Sequence, residues 1–252
     1  MVVVGGTRYG VRGVVRGMIP MEADLNDELD LETALRAIGI VPVAALARPG
    51  DAVPMAESLL AGGLGCLEIT FRTDAAAAAI EAVRSRLPEM LVGAGTVLTT
   101  AQADAAIDAG ARFVVTPGFN PVVVDHCLAR GMPIAPGVAT PSEIEQAFAR
   151  GIRLVKFFPA GPMGGIPYLK AVAGPYPMMR FVPTGGVTIE NLPDYLALQT
   201  VSACGGTWLC RADLLDRGDF AAIEQLAREA ASVVVRVRGT QASSAAANRA
   251  NA

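Results

Sequence analysis

Lys156 stands in the run Leu154-Val155-Lys156-Phe157-Phe158-Pro159-Ala160, where every neighbour is apolar. A β-branched and aromatic run of this kind reads as a buried parallel strand. An ammonium is costly to remove from water, and burial favours the free base, the form that condenses with a ketone to give a Schiff base. The same pattern also suits a lysine paired with a carboxylate in a core, or one that snorkels past a strand edge. A second polar set lies in Leu67-Glu68-Ile69-Thr70-Phe71-Arg72-Thr73. The two-residue period of a strand puts Glu68, Thr70 and Arg72 on one face and Ile69 and Phe71 on the other. Glu68 and Arg72 so placed form an internal ion pair or, beside an inward lysine, a working set with Lys156.

The elements that must position these groups alternate along the chain. Strand-like runs fall at 40–46, 66–71, 91–97, 113–118, 132–138, 154–160, 180–186 and 201–209, and amphipathic helical stretches at 51–61, 73–87, 100–109, 121–129, 141–149, 189–198 and 220–234. Strand and helix in regular alternation imply parallel pairing with right-handed crossovers, and eight such units close into a single (β/α)8 TIM barrel of the α/β class. We assign residues 32–236 to that barrel. The connection 161–174, with its glycines and prolines, reads as a loop on the active face. Residues 1–31 read as a flexible N-terminal extension, and residues 237–252, rich in Ser, Ala and Asn, as a disordered tail.

In such a barrel the catalytic groups project from the carboxyl ends of the strands. Those ends carry Gly93-Ala94-Gly95-Thr96, Thr116-Pro117-Gly118, Lys156 in phase with Phe158, Pro183-Thr184-Gly185-Gly186 and Gly205-Gly206-Thr207. Paired glycines after the last two strands let the backbone approach a ligand and expose N–H groups, at the usual phosphate position of this architecture. That favours a phosphorylated substrate. Gly93-Ala94-Gly95 lacks the spacing of a dinucleotide fingerprint.

Composition narrows the function classes. The chain has 252 residues, 52% hydrophobic and 18% charged, enough for one large core. Its formal charge of −3, with no basic cluster, argues against a nucleic-acid partner, so an anionic substrate must be held by local donors. No apolar run reaches the roughly 18 to 20 residues of a membrane span, and Met1-Val2-Val3-Val4-Gly5-Gly6 is too short for a secretory core; a cytoplasmic location is expected. Cys66, Cys127, Cys204 and Cys210 show no CxxC spacing and read as reduced thiols packed in the core. His126, the sole histidine, lies in a predicted helix beside Asp125 and reads as a surface or packing residue, so no metal site is expected.

Five motifs taken together, in order, resemble the bacterial KDPG/KHG aldolases: Leu67 to Thr73, Val92-Gly93-Ala94-Gly95-Thr96-Val97-Leu98, Val155 to Ala160, Pro183 to Gly186, and Gly205-Gly206-Thr207-Trp208-Leu209. The resemblance implies a class I aldolase that cleaves 2-keto-3-deoxy-6-phosphogluconate reversibly to pyruvate and glyceraldehyde 3-phosphate, with no metal or cofactor, as a homotrimer. It implies Lys156 as the imine-forming residue and Glu68 as the proton shuttle. Arg72 and Thr96 match holders of the pyruvyl carboxylate, Thr184 a residue near the C4 hydroxyl, and Gly185, Gly186 and Thr207 the phosphate cradle. Pro117 and Phe158 match residues that line the lysine pocket. Two stretches depart from the pattern: Gly161 follows Ala160 where many members carry a glutamate, and Ala44-Ala45-Leu46 follows the first strand where some carry an arginine. The alternatives are a 2-keto-3-deoxy-6-phosphogalactonate aldolase, against which Thr184 and Thr207-Trp208 speak, and a non-catalytic trimeric scaffold. A metal-dependent aldolase is disfavoured by the scarcity of histidine.

Overall fold

The computed structural model describes residues 31–250, with side chains to residue 241, so the extension expected over 1–31 lies, except for Leu31, outside the described residues. In chain order the elements are α1 (Leu31–Ile38), β1 (Ile40–Ala44), α2 (Ala52–Ala61), β2 (Cys66–Thr70), α3 (Ala76–Arg86), β3 (Leu91–Gly95), α4 (Thr100–Asp108), β4 (Val114–Val115), α5 (Pro121–Ala129), β5 (Ile134–Ala135), β6 (Gly137–Val138), α6 (Pro141–Ala149), β7 (Leu154–Phe157), α7 (Gly165–Ala173), β8 (Arg180–Pro183), α8 (Leu192–Leu196), β9 (Cys204–Gly206), α9 (Ala212–Arg217) and α10 (Phe220–Ala250). All strand pairs are parallel, in the orders β5-β4-β3-β2-β1-β9 and β6-β7-β8. Bridges Phe181↔Val201 and Thr184↔Gly205 join the β8 side to the β9 side. β5 and β6 are one stave interrupted at Pro136, which has no N–H to give to a ladder. The result is the expected eight-stave (β/α)8 barrel.

Local chemistry starts several of the outer helices. The Thr99 hydroxyl accepts from the Gln102 N–H ahead of α4, and Asn120 with Pro121 opens α5. Thr140 and Glu143 cap each other's backbone at α6. Two apolar layers follow. The larger fills the space between staves and helices; the smaller lies inside the barrel and includes Val41, Phe113, Val115, Leu154 and Val182 together with Leu35 of α1. Leu35, 2% exposed, is driven by α1 into the amino-terminal end of the barrel and closes its floor. His126 packs as expected of a structural residue, its ring 2.9 Å from Asp104 on the neighbouring α4.

Three sequence expectations change. The segment 161–174 is not all loop: α7 occupies Gly165–Ala173, because Pro167 sits in the first helical turn, where no N–H is required, and Leu169 and Val172 bury one face. The helix expected over 189–198 shortens to α8. Of the tail expected to be disordered over 237–252, residues 237–250 continue α10, and 251–252 lie outside the described residues. Long-range hydrogen bonds hold the part up to Gln241: Arg238 Nη2 donates to the carbonyls of Val201 (3.0 Å) and Ser202 (2.9 Å), and Gln241 Nε2 donates to those of Leu196 (3.0 Å) and Ala197 (3.2 Å). Among the described residues no helix is long and apolar enough to cross a membrane.

The four cysteines are free and buried. Burial pushes the Cys127 thiol up to about 11, with the Asp104 charge adding to it, and pushes Cys210 up to about 12; Cys66 and Cys204 are raised further by the same desolvation. An aromatic disulfide reagent at pH 8 is therefore expected to leave all four thiols unmodified in the folded protein and to modify all four in denaturant. Above the ordinary thiol range and up to about 11 to 12, the unfolded chain releases thiol protons that the folded chain keeps, so stability should fall as pH rises through that window. Reaction of two or more thiols without unfolding would contradict this packing.

Candidate active site

β2 and β7 stand four staves apart around the barrel, so their inward side chains face each other across the interior. Lys156 is set in register by its own N–H, which donates to Pro136 O at 2.9 Å, and by pairing with Gly137 and Val182. Glu68 is set by pairing with Val43 and Gly93. Both are buried, at 5% and 3% exposure, and Lys156 Nζ donates to Glu68 Oε1 at 3.3 Å. That separation is longer than the ~2.7–2.9 Å of a tight charge-assisted bond, which leaves the amine lightly held. Nζ also lies 5.4 Å from the centre of the Phe158 ring. Removing two charges from water costs several kcal/mol per ion, and a fitted apolar pair is often as stable or more so, so stability alone does not explain this contact.

Thr184 borders the same space. It is buried, its N–H donates to Phe157 O at 2.9 Å, and a cavity of about 10 Å³ lies between it, Lys156, Glu68 and the apolar Val41, Val115 and Val182. Its lining is mostly apolar, with Leu35, Phe113 and Ala135 completing it, so it is a small packing space on the floor side of the two charged groups. Beyond Thr184 the backbone turns through Gly185 and Gly186, both in the left-handed region (φ 86° and 88°), a conformation that favours glycine. The Gly161 N–H donates to Gly185 O at 2.8 Å, and Asn191 Nδ2 donates to Gly186 O at 2.9 Å, so the turn is held through its carbonyls. Neither N–H of the pair reaches a backbone acceptor among the described residues.

Thr96 follows the end of β3 with φ 54°, the one non-glycine residue at positive φ among those described. A β-branched residue in that region carries a strain of about 1 to 3 kcal/mol. Pro117, half-buried, is fixed by Thr116, which sequence reasoning did not single out. The buried Thr116 hydroxyl donates to Gly118 O at 2.7 Å and accepts from the Gly137 N–H at 3.2 Å, tying this loop to the stave beside Lys156. The visible signal was a hydroxyl at the end of an apolar strand.

Two expected members stand apart. β2 ends at Thr70, whose hydroxyl is buried and donates to Ala44 O at 3.0 Å, and the alternation does not carry Arg72 into the interior with Glu68. Arg72 is exposed on the rim, where with Phe71, Thr73, Asp74, Ala77 and Gln102 it borders a depression of about 300 Å³. Thr207 is also exposed, one residue past β9. Among the described residues there is no cluster of three His, Cys, Asp or Glu side chains able to hold a metal. A buried amine beside a carboxyl group, one hydroxyl and a pair of free N–H groups can form a carbonyl adduct and move protons around it.

Comparison with known proteins agrees with that chemistry. The family model for KDPG and KHG aldolase matches residues 31–226. A 2-dehydro-3-deoxy-phosphogluconate aldolase of Treponema pallidum is 50% identical over 201 residues, covering 80% of this chain and 96% of the relative. The KDPG aldolase of Legionella pneumophila, solved with pyruvate captured as a covalent carbinolamine, superposes with a TM-score of 0.75 at 38% identity, over 77% of this chain and 95% of that one. The 2-keto-3-deoxy-6-phosphogluconate aldolase of Zymomonas mobilis with 3-phosphoglycerate gives a TM-score of 0.76 at 38% identity, over 81% and 96%. With its fold and the larger part of its length in agreement, the chain belongs to the KDPG and KHG aldolase family.

Proposed function

We propose that this chain is a class I aldolase that cleaves 2-keto-3-deoxy-6-phosphogluconate reversibly to pyruvate and glyceraldehyde 3-phosphate, and that it also accepts 4-hydroxy-2-oxoglutarate. The observation that carries the reading is the buried contact of Lys156 Nζ with Glu68 Oε1 at 3.3 Å. Transfer of one proton across it turns ammonium and carboxylate into amine and carboxylic acid, the two groups that the first step consumes. The Lys156 amine adds to the C2 ketone, and the carbinolamine loses water as Glu68 protonates the departing hydroxyl, which leaves an iminium and a carboxylate. Glu68 then takes the C4 hydroxyl proton. The C3–C4 bond breaks, its electrons pass to the iminium nitrogen, and glyceraldehyde 3-phosphate departs from an enamine. Glu68 returns the proton to C3, and water releases pyruvate from Lys156 with that carboxylate again taking up a proton.

The remaining residues hold the substrate. Arg72, from the rim, offers a planar fork to the pyruvyl carboxylate, with Thr96 beside it; Pro117 and Phe158 flank the lysine. Thr184 faces the C4 hydroxyl. Gly185, Gly186 and Thr207 receive the phosphate, a role suited to the free N–H groups of the glycine pair. We read the working form as a cytoplasmic homotrimer, in which exposed apolar side chains such as Val122 (68%) and Leu98 (52%) would be covered by a neighbouring subunit.

Treatment with pyruvate and borohydride should attach a reduced pyruvyl group to Lys156, detected by peptide mass, and Lys156→Ala should abolish the adduct; an unmodified Lys156 in active protein would refute the imine mechanism. Arg72→Lys keeps the charge but loses the fork, and should raise KM for the keto acid about tenfold while changing kcat less. Pyruvate release coupled to lactate dehydrogenase, run on the gluconate and galactonate epimers, should favour the gluconate compound. Preference for the galacto epimer would reassign the substrate.

A further inference from the structure

β3 carries two glycines on the barrel side, at positions 93 and 95, and they make room for different things. A methyl built at Gly93 would overlap the ring of Phe113, part of the interior apolar layer. A methyl built at Gly95 would overlap Glu68 Oε1 and come within 2.5 Å of its Cδ and 2.6 Å of its Cγ, and these three Glu68 atoms are the nearest neighbours of that point. Gly95 pairs in register with Thr70, and it is absent from the residues at positive φ, so its backbone conformation is open to any residue. The reason for glycine is the carboxylate, which lies over the bare Cα on its way to Lys156.

We propose that Gly95 is a positioning residue for the reaction: the missing side chain is the seat in which the Glu68 carboxyl group rests while it exchanges protons with the substrate. The inference rests on the reading of Glu68 as proton carrier. An alanine at position 95 would push the carboxyl group off its seat and away from the lysine, yet leave the Lys156 backbone, which is tied to Pro136 and to the neighbouring staves, where it is. Lys156 should therefore still be able to form the imine, while every step that draws a proton from Glu68 slows.

The test is a double-mutant cycle of Gly95→Ala and Glu68→Ala in the full chain. Three readouts are used: borohydride trapping of pyruvate on Lys156, exchange of the pyruvate C3 protons in deuterium oxide, and thermal unfolding. Gly95→Ala is expected to reach the trapped adduct at long incubation, though more slowly because dehydration also draws on Glu68, and to lose exchange on the order of 100-fold, the scale of a lost general acid–base group. Adding Gly95→Ala to Glu68→Ala should cost no further activity and no further stability, because the atoms it would strike are gone. If Gly95→Ala alone fails to fold, recovery of folding in the double variant supports the seat, since it identifies Glu68 as the obstacle; a double variant that also fails to fold overturns it. Wild-type exchange in Gly95→Ala, or losses that multiply in the double variant, overturns it as well. Wild-type exchange in Glu68→Ala overturns the proton-carrier reading itself, an outcome distinct from a seat that fails while Glu68 remains essential.

Discussion

A lysine and a glutamate meet across a barrel interior built mainly from Val, Phe, Leu and Ala, with Cys66 and Thr184 among them. Two charges in such surroundings are expensive, and their attraction offsets the cost only in good geometry. The geometry here has little freedom. Staves four apart fix the direction of both side chains, and parallel register fixes their height. The bare Cα of Gly95 leaves the volume that the carboxyl group fills. A contact of 3.3 Å, rather than a short strong pair, suits a nucleophile that must leave its partner to react.

Much of this was legible in the chain. A single cation within an apolar run marked Lys156, and a period of two marked Glu68, because both signals are local and both elements are strands. Arg72 shows where the reasoning stops: alternation holds only while the ladder continues, and β2 ends at Thr70, so the residue two positions later follows the turn instead of the pleat. The strand-helix rhythm gave the barrel even though β4, β5 and β6 are only two residues long, because their continuous burial needs no alternation.

What the chain concealed was long-range. Composition over 237–252 suggested disorder, while the hydrogen bonds of Arg238 and Gln241 that hold α10 in place reach back some 36 to 45 residues. Glycine and proline over 161–174 suggested a loop, since their helix-breaking effect depends on position and Pro167 falls where it is harmless. Thr116 and Gly95 gave even less warning. Their importance lies in what comes to rest against them, Gly137 in one case and Glu68 in the other.

The plug that α1 drives into the barrel floor also governs traffic. With Leu35 packed at the far end, the described residues leave the Lys156 nitrogen facing the rim that carries Phe158 and the glycine turn. With the substrate held as proposed, the two halves of a cleaved sugar acid would stand in single file, the phosphorylated aldehyde outermost and the pyruvyl group tethered behind it. On that placement departure would be ordered by architecture: the outer fragment would vacate the passage before water enters to free the inner one.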